Sequence, residues 1–157
     1  VALDATFNLR SKRGKRSVPA REFFQGPFST ALAEDELFVE VLLPPLPRGA
    51  GTAYVSFNQA ASGYSLVAAA AVIARSRKTV NHAVVVLTGL ADMARRVSAV
   101  DQLVGTKGEP DVISRVAAAA PEGLEIQGDV HAPAAYRRHL VTVTTRDALT
   151  HALERAK

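Results

Sequence analysis

Apolar and polar residues alternate from Asp4 through Ala5, Thr6, Phe7 and Asn8 to Leu9, a period of two that belongs to a strand with one wet face. The charged stretch Ser11-Lys12-Arg13-Gly14-Lys15-Arg16 then reads as a turn, with a returning strand over residues 16–18 that Pro19 ends. Phe23-Phe24 supplies an apolar anchor before a second turn at Gly26-Pro27. Residues 36–43 are rich in β-formers and stop at Pro44-Pro45, and residues 46–51 form a loop. Two more strands follow over residues 53–59 and 66–75, joined by the small-residue segment Ala60-Ala61-Ser62-Gly63-Tyr64. The second of these is alanine-rich enough to be helical on propensity alone. A strand is the better reading, because Ser76-Arg77-Lys78-Thr79 leads straight into the valine run of residues 82–88 and a hairpin satisfies both segments.

After Gly89 the period changes. Val97, Val100, Leu103 and Val104 fit one helical face, as do Val112, Ile113, Val116, Ala117 and Ala120, with Gly105 and Pro121 as stops. From about Pro133 a third helix places Tyr136, Leu140, Val143, Leu149 and Leu153 on one stripe. Strands first and helices afterwards imply an α+β fold: an antiparallel sheet of three or four strands with about three helices packed on one face. A lone hairpin buries no core, so the first 25 residues stand apart from the main domain, residues 26–157.

Composition narrows the function classes. The 157 residues suffice for one ordinary domain, and the longest apolar run, residues 66–74, is too short to cross a bilayer. Cysteine is absent, which removes disulfides, thiolate metal sites and cysteine nucleophiles and makes the reducing cytoplasm the expected address. The only methionine is Met93 and the chain opens at Val1, so an upstream segment is expected. Through Arg21 there are six basic residues against Asp4 alone, whereas the remainder carries thirteen against fourteen acids, so the net +4 is a local patch on a nearly neutral body. A solvated turn is the ordinary reading of that patch, with an acidic protein partner as the alternative; without a stacking stripe of aromatics, nucleic acid is not expected.

Candidate chemistry is sparse. Gly49-Ala50-Gly51-Thr52-Ala53-Tyr54 starts like a dinucleotide fingerprint, but Tyr54 replaces the third glycine and the segment enters a strand instead of opening a helix. His82, His131, His139 and His151 lack the paired spacing of a zinc site, and no Gly-x-Ser-x-Gly elbow marks a serine nucleophile. Around Tyr136-Arg137-Arg138, Asp129 is expected to pair with an arginine or cap the helix while Tyr136 packs inward.

Several ordered segments carry a resemblance. Arg16-x-Val18-Pro19-x-x-x-Phe23-Phe24-x-Gly26-x-Phe28-x-Thr30, then Asp35-Glu36-Leu37 and a strand ending at Pro44, lead the series. Tyr54-Val55-Ser56-Phe57, Ser62-Gly63-Tyr64-Ser65-Leu66-Val67, Val86-Leu87-Thr88-Gly89-Leu90, Leu103-x-Gly105 and Asp129-Val130-His131-Ala132-Pro133-Ala134-Ala135-Tyr136-Arg137-Arg138-x-Leu140 follow in order. Together they resemble the FAD-binding medium subunit of molybdenum hydroxylases, the family of xanthine dehydrogenase and aerobic carbon monoxide dehydrogenase. The resemblance implies an oxidoreductase subunit that relays electrons. Substrate is oxidised at molybdopterin on a large subunit, 2Fe-2S clusters on an iron-sulfur small subunit pass the electrons on, and FAD hands them to a terminal acceptor.

The family's glycine-rich phosphate loops lie in an N-terminal domain and have no match here. The resemblance therefore makes residues 1–25 the terminal hairpin of a truncated FAD-binding domain and residues 26–157 the C-terminal domain, which by itself is expected to bind FAD weakly or not at all. Three cofactor-binding positions carry over. Phe38 matches an apolar position packed near the flavin ring, and Tyr64 an aromatic one near it. Asn58 stands where many relatives place a basic residue. An ordinary core role stays open for Phe38 and Tyr64. The alternative function is a non-enzymatic protein-interaction domain that uses the basic hairpin.

Overall fold

The computed structural model describes residues 1–157, which form two compact units, Leu3–Leu46 and Pro47–Lys157. In the first, β1 (Thr6–Ser11) and β2 (Gly14–Pro19) make the expected hairpin, in register from Thr6↔Pro19 to Ser11↔Gly14. A single helical turn, α1 (Ala20–Phe23), follows Pro19, and a small hairpin of β3 (Phe24–Gly26) and β4 (Ser29–Thr30) follows that. Strand β5 (Leu37–Leu42) pairs antiparallel with β1, giving the order β2-β1-β5. Leu9, Val18 and Phe23 form the small core.

That pairing moves the division of the chain. Counting the strand at residues 36–43 with the C-terminal domain puts a boundary after residue 25, whereas its hydrogen bonds run to β1 and the two units divide between Leu46 and Pro47. Strand β5 is also exposed along its length: Leu37 is 73% exposed and Val39 59% exposed.

The second unit is the α+β body anticipated from the sequence. Strands β6 (Ala50–Asn58), β7 (Ser65–Ser76), β8 (Thr79–Thr88) and the short β9 (Arg95–Arg96) form one antiparallel sheet in chain order. The pairs Ala53↔Ala71 and Ala71↔Val85 set the register, so Val67, Ala69, Ala71 and Ile73 share a face with Ala53, Val85 and Leu87. On that face lie a 3₁₀ helix (Ser98–Leu103), α2 (Pro110–Ala119) and α3 (Ala134–Arg155), whose Val100, Ile113, Val116, Leu140 and Leu149 complete one core. The alanine-rich segment is therefore a strand, since pairing on both sides and burial outweigh a propensity of under about 1 kcal/mol per residue.

Two helical expectations change. Three residues per turn align Val100 with Leu103 in the 3₁₀ helix and turn Val104 out, half exposed. In α3 the buried stripe is Arg137, Leu140, Val141, Thr144, Thr145, Ala148, Leu149 and Ala152, while Tyr136 faces outward, edge-on to Phe57. Polar members enter the stripe where the backbone satisfies them: the Thr144 hydroxyl donates to the Leu140 carbonyl at 2.8 Å. The buried Thr145 hydroxyl has no partner. Thr145→Val removes that orphan at nearly constant volume and is expected to raise stability by about 1 kcal/mol, read as a higher urea midpoint at unchanged m-value.

Candidate functional site

Phe38 sits on β5 opposite Leu9 of β1. Its ring meets Phe7 and Phe23 edge-on, with centroids 5.2 and 6.0 Å apart, yet the residue stays 45% exposed. One side of the ring is fixed by aromatic packing and the remainder is open, a posture suited to lying against a flat, largely apolar ligand.

Asn58 and Tyr64 lie at the two ends of the β6–β7 connection. A register shift at Phe57/Asn58 ends the ladder, and Asn58 pairs with Ser65. The Ser65 hydroxyl donates to Asn58 Oδ1 at 2.8 Å, which leaves the Asn58 amide protons directed to solvent. Gln59 closes the loop on itself: its amide donates to the Tyr64 carbonyl and its carbonyl accepts from the Gly63 amide, both at 2.8 Å. Its side-chain Oε1 also accepts from the Ser62 amide. Gly63 takes φ +74°, a left-handed conformation that favours glycine and completes the tight loop. Tyr64 emerges 81% exposed, so it is no core residue. The loop is preformed and presents a flat aromatic ring and an uncharged hydrogen-bond donor.

Directly behind it is a group that pattern reading placed on the wrong residue. Arg137, on the first turn of α3, is only 5% exposed. Its guanidinium donates to the carbonyls of Leu66 (2.6 Å) and Gly89, and to Asp129 Oδ2 at 2.6 Å. Asp129 Oδ1 accepts the amides of His131 (2.9 Å) and Ala132 (3.0 Å). Asp129 thus pairs with an arginine, as anticipated, but its other oxygen holds the turn before α3 and not the helix N-terminus, which has no side-chain cap, and it is Arg137 and not Tyr136 that turns inward. The Arg137 guanidinium, followed by the His131 amide, holds the Asp129 carboxyl down at about 2. The network ties the start of β7, the end of β8 and the start of α3 together one strand residue beyond the Tyr64 loop.

In the first unit the basic hairpin is partly neutralised. Arg16 forks onto Glu36 through bonds of 2.6 and 2.7 Å, and Arg13 reaches Asp35 at 2.6 Å. The Arg16 contact and the Ala33 amide bring the Glu36 carboxyl down to about 2. Two of the cations that suggested a docking patch therefore already hold the β4–β5 loop in place. No cluster of side chains suited to a metal ion is present, and no helix is long and apolar enough to cross a membrane.

Comparison with known proteins divides the chain at the same place. A family model described as the CO dehydrogenase flavoprotein C-terminal domain matches residues 52–152, and one described as the FAD binding domain in molybdopterin dehydrogenase matches residues 1–46. The carbon monoxide dehydrogenase medium chain of Hydrogenophaga pseudoflava is 31% identical over 99% of this chain and 54% of its own length. The nicotine 6-hydroxylase medium subunit of Paenarthrobacter nicotinovorans is 29% identical over 97% of this chain and 53% of its own. Among solved structures, carbon monoxide dehydrogenase from Hydrogenophaga pseudoflava superposes with a TM-score of 0.93 at 30% identity, covering 100% of this chain and 55% of that one. Quinoline 2-oxidoreductase from Pseudomonas putida 86 gives 0.88 at 28% identity, covering 98% and 53%. The chain spans about half the length of the curated relatives it matches.

Proposed function

Because this chain belongs to the family of CO dehydrogenase flavoprotein C-terminal domains, preceded by a segment of the molybdopterin dehydrogenase FAD-binding domain, we infer that it is part of the FAD subunit of a molybdenum hydroxylase. The observation that carries the reading is the succession of the two matches in one chain, each coinciding with a compact unit. In this role the protein helps to enclose FAD. It relays electrons from 2Fe-2S clusters on a small subunit, themselves fed by molybdopterin on a large subunit, to a terminal acceptor. Its proposed address is the cytoplasm.

Phe38 presents a half-exposed ring held by Phe7 and Phe23. The β6–β7 loop presents Tyr64, with Asn58 as an uncharged donor. An apolar or aromatic surface excludes water from the isoalloxazine, and a neutral amide stabilises a reduced, anionic ring less than a cation does. The chemistry supplied by bound FAD is the exchange of one or two electrons; the residues of this chain orient the ring and shield it.

The protein isolated from its source is expected in a complex whose absorbance shows flavin and iron-sulfur bands together. A colourless polypeptide with no associated subunits would contradict the reading. The 157-residue chain alone is expected to bind micromolar FAD too weakly to give a stoichiometric yellow complex, since flavin affinity rests mostly on phosphate contacts of the strand, glycine-rich turn and helix type.

A further inference from the structure

Charge counted along the sequence places the basic surplus in the first 21 residues, but folding creates a second basic cluster in the other unit. At the end of the sheet away from Tyr64, a cavity of about 330 Å³ is lined by Arg48, Arg75, Ser76, Asn81 and Lys157, with no acidic side chain in its wall. Arg75 is held in place by a 2.6 Å bond to the Ala156 carbonyl. The adjoining β7–β8 turn adds Arg77 and Lys78, whose φ values of 50° and 69° are left-handed, where asparagine or glycine is the usual choice. None of these five cations takes part in an ion pair. Clustered cations repel one another, and the side chains of this concave wall supply cations and neutral donors but no acid.

We propose that this cavity is a binding site for a small polyphosphate anion, with inorganic diphosphate as its simplest occupant. The guanidinium groups of Arg48 and Arg75 present paired N–H donors matched to phosphate oxygens, Lys157 adds a point charge, and Asn81 and Ser76 add neutral hydrogen bonds. Three cations around one cavity can meet more than one phosphate group, which favours a larger anion over an isolated monophosphate. Strand β7 has 12 residues, so at about 3.3 Å per residue this site lies roughly 36 Å along the strand from the Tyr64 loop. It is a separate site and does not depend on the flavin reading.

The test is isothermal titration of the full 157-residue chain with sodium diphosphate at low ionic strength, with sulfate titrated in parallel. One saturable site is expected, tighter for diphosphate than for sulfate and weakened by added salt. Arg48→Ser, on an exposed loop where it makes no hydrogen bond, is expected to weaken diphosphate roughly tenfold with the melting temperature unchanged, the loss of one charge-assisted contact. Arg75→Gln should weaken it as well, and Arg10→Ser with Lys15→Ser should leave it intact. Absence of saturable binding, equal affinity in Arg48→Ser, or loss of binding in the hairpin double variant would overturn the proposal.

Discussion

Replacing Arg137 by leucine is expected to cost about 3–5 kcal/mol, the largest stability loss of any single polar substitution in the chain. The reason lies in what remains behind. Leucine fills much of the volume but leaves the Leu66 and Gly89 carbonyls without their donor and Asp129 without its cation. Domains of this size hold only 5–15 kcal/mol in total, so thermal unfolding should move down by roughly 10 °C. Arg137→Lys keeps the charge, yet a single ammonium cannot span two carbonyls and a carboxylate, so most of the loss should persist. The milder variant Asp129→Asn probes the same network through pH. The folded Asp129 carboxyl titrates at about 2, below its ordinary 3.8, so the stability it contributes is complete above that ordinary range and is lost as pH falls from 3.8 toward 2. Urea midpoints measured against pH should fall over that window in the parent and fall less in Asp129→Asn, with the remaining slope belonging to Glu36. Identical slopes would show that the pair is not coupled to folding.

Gly51→Val is the second large effect. Gly51 pairs with Ile73 on the face that carries α3, and a Cβ there would run into the Ala152 carbonyl, the Ala156 amide and the Arg155 carbonyl carbon. All three are backbone atoms, so no rotamer change relieves the contact and the last turn of α3 must lift from β6. Overpacking of this kind costs about 1–3 kcal/mol where side chains can adjust, and the upper end or beyond is expected here. A melting temperature of Gly51→Val within experimental error of the parent would refute the close approach. The same residue explains the false fingerprint: glycine is required in Gly49-Ala50-Gly51 so that a helix can lie on a strand, the backbone of α3 taking the place a phosphate has in a nucleotide-binding turn.

The sheet was legible in the sequence because its signals are local. Period-two alternation, the valine run of β8 and the turn at residues 76–79 locate three of its four strands, and the helix layer follows from Gly105, Pro121 and Pro133. Strand β9, two residues long, gives no periodic signal. The membership of β5 was hidden for a different reason: pairing with β1 is a contact between distant residues, and a strand reads the same whichever sheet receives it. Hydrophobicity does not mark the buried face of α3 because that stripe contains an arginine and two threonines; hydrogen bonds to carbonyls permit the burial of Arg137 and Thr144, while Thr145 is buried without one. Of the candidate site, neither Phe38 nor Tyr64 could be told from a core aromatic by pattern, and their selection came from family resemblance. What the fold adds is their exposure and the hydrogen bonding that stiffens the loop carrying Asn58 and Tyr64.

The flavin role is tested most directly by the fluorescence lifetime and visible spectrum of FAD in the complete, cofactor-loaded subunit bearing Tyr64→Leu. A tyrosine ring against the isoalloxazine quenches its emission, so the expected result is a longer flavin lifetime together with a displaced absorption maximum. An unchanged lifetime and spectrum, in this variant and in Phe38→Leu alike, would contradict the placement of either residue at the flavin.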